Sequence, residues 1–175
     1  MLRVMLLRHA KAVPETGFGD HARALAGRGM ADAQRMGRYL AEEGLSPDAV
    51  LLSDALRTSQ TLEQMTGCFE ARLGARADAA LYLAHPRALL AAINETPAKT
   101  GVLLVIAHNP GLAELADALT GYGDRYAMAR MRQKYPTCGL AVLDFDVESW
   151  NKIAAKSGRL ERFVTPVAMG GGPDD

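Results

Sequence analysis

Three short stretches of this chain end in residues that can bind and attack an oxyanion. The apolar run Leu2, Val4, Met5, Leu6 and Leu7 stops at Arg8–His9. The run Ala49-Val50-Leu51-Leu52 leads into Ser53-Asp54-Ala55-Leu56-Arg57-Thr58. The strongest run, Val102-Leu103-Leu104-Val105-Ile106, reaches His108–Asn109 one residue later. An arginine offers a planar fork of donors, and a histidine offers a ring nitrogen as nucleophile or base. Two arginines can clamp a phosphoryl group and stabilise the charge on its equatorial oxygens. One histidine can then attack phosphorus in line, and the second can donate hydrogen bonds to the oxygens. No metal is required, because Arg8 and Arg57 supply the positive charge. Taken singly, each residue has an ordinary role: a solvated arginine at a helix start, or Ser53-Asp54 as a helix cap. Taken together they point to phosphate.

This chemistry needs the three runs to be neighbouring strands. Each run is too short for a membrane helix and suits a strand buried on both faces of a parallel sheet. Ligands of open α/β sheets lie beyond the carboxyl ends of the strands, where these residues fall. Helices are predicted between the strands. One covers about 29–43, with Ala33, Met36 and Leu40 on its buried face and Gly44 as its stop. A second runs to about Phe69, a third over 87–94 with Pro86 in its first turn, and a fourth over 112–119. Residues 72–78 read as a polar connection and 79–83 as a weak strand. Residues 121–133 fit either a loop or a short helix. Residues 137–145 and 160–164 read as strands pairing in a hairpin, with a turn or short helix at 149–157. The expectation is an α/β fold of three layers, α/β/α. Its sheet is mostly parallel, with an antiparallel edge strand from the last hairpin. One domain over 1–168 is expected, with a disordered tail over 169–175.

Composition narrows the partners. The chain has 175 residues, with 20 basic and 20 acidic side chains that cancel. No basic field points to nucleic acid, and no basic amphipathic stretch points to a membrane surface. Cys68 and Cys138 lack metal-type spacing and read as reduced thiols, which places the protein in the cytoplasm. The first apolar run is interrupted by Arg3 and closed by Arg8, with no cleavage pattern behind it, so it does not read as a signal peptide.

The same residues resemble a known family. Leu6-Leu7-Arg8-His9-Ala10 is similar to the Arg-His-Gly signature of the histidine phosphatase superfamily, which has the phosphoglycerate mutase-like fold. The segment from Ser53 to Thr61 resembles that family's Ser-x-x-x-Arg-x-x-x-Thr pattern, and Val105 to Pro110 its second histidine. The short length, Ala10 in place of glycine, and the ending around Tyr135-Pro136-Thr137 and Leu143-Asp144-Phe145-Asp146 are most similar to the SixA-type phosphohistidine phosphatase branch. The resemblance implies His9 as the phosphorylated nucleophile, with Arg8, Arg57 and His108 as the phosphate pocket and no cofactor. Asn109 and Asp20 are further candidates for substrate binding, Asp20 with Arg23 shaping the loop beside the pocket.

One departure bears on substrate. Members that cleave esters usually carry an acid that protonates the leaving oxygen, after the third strand. Here that stretch is Leu81-Tyr82-Leu83-Ala84-His85-Pro86, with no carboxylate. General acid help is worth about 10²–10⁴-fold, and an alkoxide leaves poorly without it. The imidazole of phosphohistidine can be protonated by solvent near neutral pH. Asp20 or His85 are the substitutes to weigh, and His85 suits a helix entry before Pro86. There is also no room for a long lid insertion between the Arg57 helix and strand 102–106. The leading expectation is therefore a metal-independent phosphatase acting on phosphohistidine in a protein partner, as a monomer. The alternatives are a small-molecule or promiscuous phosphomonoesterase, a mutase, which would need a closed site, and a non-catalytic phosphoprotein-binding module.

Overall fold

Strand β1 (Leu2–Arg8) is apolar on both sides because both of its faces are covered. The computed structural model describes residues 1–175. In chain order β1 is followed by α1 (Gly27–Glu42), β2 (Ala49–Ser53), α2 (Leu56–Thr66), β3 (Gly74–Asp78), α3 (Pro86–Asn94) and β4 (Val102–Ala107). Then come α4 (Gly111–Leu119), β5 (Thr120–Gly123), α5 (Arg125–Gln133), β6 (Leu140–Phe145) and β7 (Gly158–Val164). The seven strands form one sheet in the order β3-β2-β4-β1-β6-β7-β5.

Alternate residues of each strand feed two cores. Val4 and Leu6 join Leu103, Val105, Leu143 and residues of α3, α4 and α5 on one face. Met5 and Leu7 join Leu104, Ile106, Val142 and residues of α1 and α2 on the other. The result is the expected three-layer α/β/α architecture.

The sheet is parallel from β3 through β2 and β4 to β1. The antiparallel strand of the last hairpin is β6, and it lies inside the sheet, between β1 and β7. The edge on that side is β5, which pairs parallel with β7. Its four residues, Thr120-Gly-Tyr-Gly, carry no strand signal of their own, and three of them are exposed.

Two local readings are corrected. The polar stretch before Asp78 is a strand, β3, and Ala79–Leu81 is a single 3₁₀ turn. An outer strand needs no apolar run, since most of β3 is exposed, and Asp78 accepts from the Ala80 amide to start the turn. Likewise Ser53-Asp54 does not cap α2. Its N-cap is Ala55, with no side-chain hydrogen bond.

The stretch 169–175 is expected to be disordered; instead Met169 ends a 3₁₀ turn and residues 170–175 are seated against the fold by hydrogen bonds. Gly171 N donates to Pro166 O at 2.7 Å, and Thr137 Oγ1 bonds an Asp175 carboxylate oxygen at 2.9 Å.

Candidate active site

The sheet order makes neighbours of the three strands that carry the chemistry, with β4 between β1 and β2. Their carboxyl ends open on a cleft of about 400 Å³ lined by Arg8, His9, Arg57, His108, Asn109 and Asp20, among others. All six candidate residues are thus brought to one place. His85 is not among the lining residues; its Nδ1 accepts from the Arg87 amide at the start of α3.

The backbone at Arg8–His9 is pinned from both sides. Arg8 N donates to Gly139 O, and His9 N to Ala107 O. Cys138 N donates back to the carbonyls of Arg8 and His9. Ala10 N donates to Thr61 Oγ1 at 3.0 Å, while Thr61 Oγ1 donates to Arg57 O at 2.7 Å. The threonine one turn beyond Arg57 thus ties the two phosphate-type segments together. The Ser-x-x-x-Arg-x-x-x-Thr spacing is therefore structural as well as chemical.

His9 has a defined tautomer. Its Nδ1 lies 2.8 Å from Ala10 O, an acceptor only, so Nδ1 carries the proton and Nε2 the lone pair. Arg57 Nε donates to that Nε2 at 3.3 Å. His9 is 7% exposed. Burial pushes its pKa from 6.5 down to about 3; nearby His108, Arg57 and Arg8 push the same way, while the hydrogen bond to Ala10 O opposes them. The ring is therefore neutral at physiological pH, with the lone pair on Nε2.

Arg57 is the buried centre. Its Nη1 donates to Asp20 O at 2.7 Å and its Nη2 to Asp20 Oδ2 at 2.9 Å. Nη2 also lies 3.2 Å from His108 Nδ1, which must accept, so His108 carries its proton on Nε2. That proton reaches Ser53 Oγ at 2.8 Å. Ser53, fully buried, accepts from Ala55 N as well. The serine orients His108 rather than starting a helix. Burial, then Arg57, lowers the His108 pKa to about 4. The His9 and His108 rings stand 5.2 Å apart, centroid to centroid.

Asp20 sits on a 3₁₀ turn and holds the arginine fork. Beyond its two bonds from Arg57, its carboxylate accepts from Tyr82 Oη at 2.5 Å and Arg23 Nη1 at 2.9 Å. These donors, Tyr82 foremost and then Arg23 and Arg57, hold the carboxyl well below the usual carboxylate range against partial burial. Asp20 is an anion that fixes Arg57, and it has no proton to give.

Arg8 and Asn109 share an anchor. Arg8 Nη1 and Asn109 Nδ2 both donate to Tyr135 O, at 3.1 and 2.8 Å. Arg8 Nε and Asn109 Oδ1 are buried without a protein partner.

Sequence reasoning missed Tyr82 and the anchoring role of Tyr135. Tyr82 lies in the stretch searched for a carboxylate, and its ring packs edge-on against His108 with centroids 5.4 Å apart. A tyrosine among apolar neighbours reads as core, so no local signal marked it. No cluster of three or more His, Cys, Asp or Glu side chains is arranged to hold a metal ion. No helix is long and apolar enough to cross a membrane.

Chemically, the cleft presents a neutral nucleophilic nitrogen, two guanidinium groups and a second imidazole around one small space. Arg57 is the second residue of α2 and α4 starts two residues after Asn109, so both helix N-termini add positive potential at the same rim.

No protein-family model matches the chain. It is 37% identical over 139 residues to an uncharacterised protein of Mycobacterium tuberculosis, covering 78% of this chain and 85% of that protein. Among solved structures it is similar to the SixA protein of Agrobacterium tumefaciens, with 29% identity and a TM-score of 0.80 over 94% of this chain and 98% of that one. It is also similar to the SixA protein of Nakamurella multipartitia, with 26% identity and a TM-score of 0.82 over 95% and 97% of the two chains. Both of these are described as phosphohistidine phosphatases on a provisional basis. The fold, the sheet order that gathers the two histidines and two arginines, and these likenesses agree: the chain belongs to the histidine phosphatase superfamily, in its SixA-like branch, and is a phosphatase-type hydrolase.

Proposed function

We propose that the protein hydrolyses phosphohistidine carried on a protein partner, through a phosphoryl group held transiently on His9. The observation that carries this reading is the state of Asp20. Asp20 and Asp175 are the carboxylates that line the cleft; Asp175 is paired with Lys11, and the donors of Arg57, Arg23 and Tyr82 keep Asp20 ionised beside the phosphate-type residues. With no protonated acid at hand, the site suits a leaving group that water can protonate. The imidazole of phosphohistidine is such a group, and an alkoxide is not.

In this reading Arg8, Arg57 and His108 hold the phosphoryl oxygens. His9 Nε2 attacks phosphorus in line as the substrate P–N bond breaks, and the departing imidazole takes a proton from solvent. Nδ1–H, held on Ala10 O, steadies the cationic ring that forms. Water then attacks phospho-His9, releasing inorganic phosphate and restoring the neutral ring. The charge a metal would supply comes from the two guanidinium groups. For His108 to donate to a phosphoryl oxygen, a bound dianion would have to raise its pKa and take the place of the Arg57 Nη2 contact at Nδ1; a proton there holds an equatorial oxygen and is not aimed at the leaving group.

The test is phosphate release from a phosphohistidine-bearing protein and from an aryl phosphate ester, with wild type and His9→Ala. Fast P–N hydrolysis, slow ester hydrolysis and loss of both in the variant are expected. Faster ester turnover would make a small-molecule phosphomonoesterase the better reading. Phosphate binding with no turnover and no acid-trapped phosphoenzyme would make it a binding module.

A further inference from the structure

The cleft has a cationic shoulder that the catalytic residues do not use, and a segment of the chain lies on it. After the 3₁₀ turn Pro166–Met169, Gly170 adopts a left-handed φ of 75°. Of the next two residues, Gly171 is held close to buried Asp32 and to the Pro166 backbone, while Gly172 lies against the Arg28 side chain, which can shift. A Cβ on Gly171 would stand 2.6 Å from Asp32 Oδ1, and one on Gly172 would stand 2.6 Å from Arg28 Nε. The chain then meets three cations in turn. Arg28 Nη2 donates to Pro173 O, and Lys134 Nζ donates to Asp174 O at 2.8 Å. The Asp175 carboxylate accepts from Lys11 Nζ and from Thr137 Oγ1, with Arg28 Nη2 at 3.4 Å.

Asp175 is itself a lining residue of the cleft that holds His9 and Arg8. The shoulder is continuous with the phosphate residues. Lys11 lies two positions after His9, and Thr137 two after Tyr135, whose carbonyl anchors Arg8 and Asn109. The contacts are all polar and partly exposed, with side-chain exposures of 42%, 31% and 29% for Lys11, Arg28 and Asp175. Ion pairs of that kind are weak and exchangeable.

We propose that residues 170–175 are an internal competitor of the substrate. The Asp175 carboxylate occupies a shoulder formed by Lys11, Arg28 and Thr137, and an acidic stretch beside the phosphorylated residue of a protein partner takes that shoulder when it displaces the segment. The inference rests on the reading of a protein-borne substrate given above. A tethered occupant reduces apparent affinity by the fraction of time the cleft is free. Its anionic end also repels an incoming phosphate.

The test is calorimetric binding of inorganic phosphate to wild type and to the double variant Asp174→Ala/Asp175→Ala, which leaves the catalytic residues intact. Affinity is expected to rise by roughly three- to tenfold in the double variant, and the difference to shrink at high salt. The peptide Gly-Gly-Gly-Pro-Asp-Asp should bind the double variant and not wild type, and should lose that binding when Lys11→Ala is added. Its counterpart ending in Asn-Asn should bind neither protein. Unchanged or weaker phosphate binding in the double variant overturns the proposal, as does equal binding of the acidic peptide to both proteins. Because binding is read without turnover, the two readings fail separately. Tail-dependent phosphate binding in a protein that hydrolyses no phosphohistidine removes the catalytic reading alone. Tail-independent binding in an active enzyme removes the competitor alone.

Discussion

The floor and the shoulder of the cleft hold similar residues and differ in what surrounds them. On the floor, His9, Arg57, His108 and Ser53 are 7%, 2%, 2% and 0% exposed. Their bonds run between buried groups on three strand ends, where the low local dielectric strengthens each one and makes a broken one costly. On the shoulder, Lys11, Arg28 and Asp175 make ion pairs within reach of water, where salt screens them. The same charges therefore do two jobs. Buried, they fix tautomers and geometry; exposed, they select what approaches without holding the fold together.

The comparison is broken most severely at the nucleophile. His9→Ala should cost on the order of 10⁴-fold or more in turnover, since no other group can accept the phosphoryl; single-turnover phosphate release measures it. Arg57→Lys should cost about 10²–10³-fold, because an ammonium cannot span Asp20, His9 and His108 as the fork does. Equal activity of the lysine variant would show that charge suffices without the fork.

Asp20→Asn sharpens the comparison, because Asp20 joins the floor to the exposed loop. About a tenfold fall in kcat is expected as Arg57 loses its charged partner. The pH profile of ester hydrolysis should keep its alkaline limb. Loss of that limb would mean that Asp20 delivers a proton, contrary to the ionised state its donors impose.

Acid stability separates the two regions by size. His9 and His108 are held neutral in the fold, with pKa values of about 3 and about 4 against 6.5 when unfolded. Below pH 6.5 the unfolded chain binds the protons that the fold refuses. Stability is full above that pH and falls as the medium is acidified toward those values, by ~1.4 kcal/mol per pH unit for each histidine. Denaturant melts across pH 7 to 4 should show the slope in wild type and a shallower one in His9→Phe. The smallest effect belongs to the shoulder. Lys11→Ala should change stability by less than about 0.5 kcal/mol, read from the same melts.

How much was legible before the structure follows the same division. Buried strands announce themselves by unbroken apolar runs, so β1, β2 and β4 were readable, and so were the residues at their ends. Strand β3 and strand β5 were not, because an exposed or very short outer strand needs no hydrophobic pattern. Asp20 was readable as a residue of the loop beside the pocket, but not as the partner that fixes Arg57. Tyr82 carried no mark at all, since its hydroxyl acts only through an aspartate 62 positions away. The seating of residues 170–175 was invisible for a like reason. Glycine runs read as disorder, and only the nearness of Asp32 and the Pro166 backbone favours a glycine at 171.

The amino-acid order by itself determined which residue types stand at the strand ends, because burial of β1, β2 and β4 leaves their polar continuations nowhere to go but the rim. Only the tertiary structure decided which nitrogen of each histidine is free, that Asp20 stays ionised, and that the chain's own aspartate rests on the shoulder. Those properties depend on partners brought together from distant segments, and local sequence carries no distance between them.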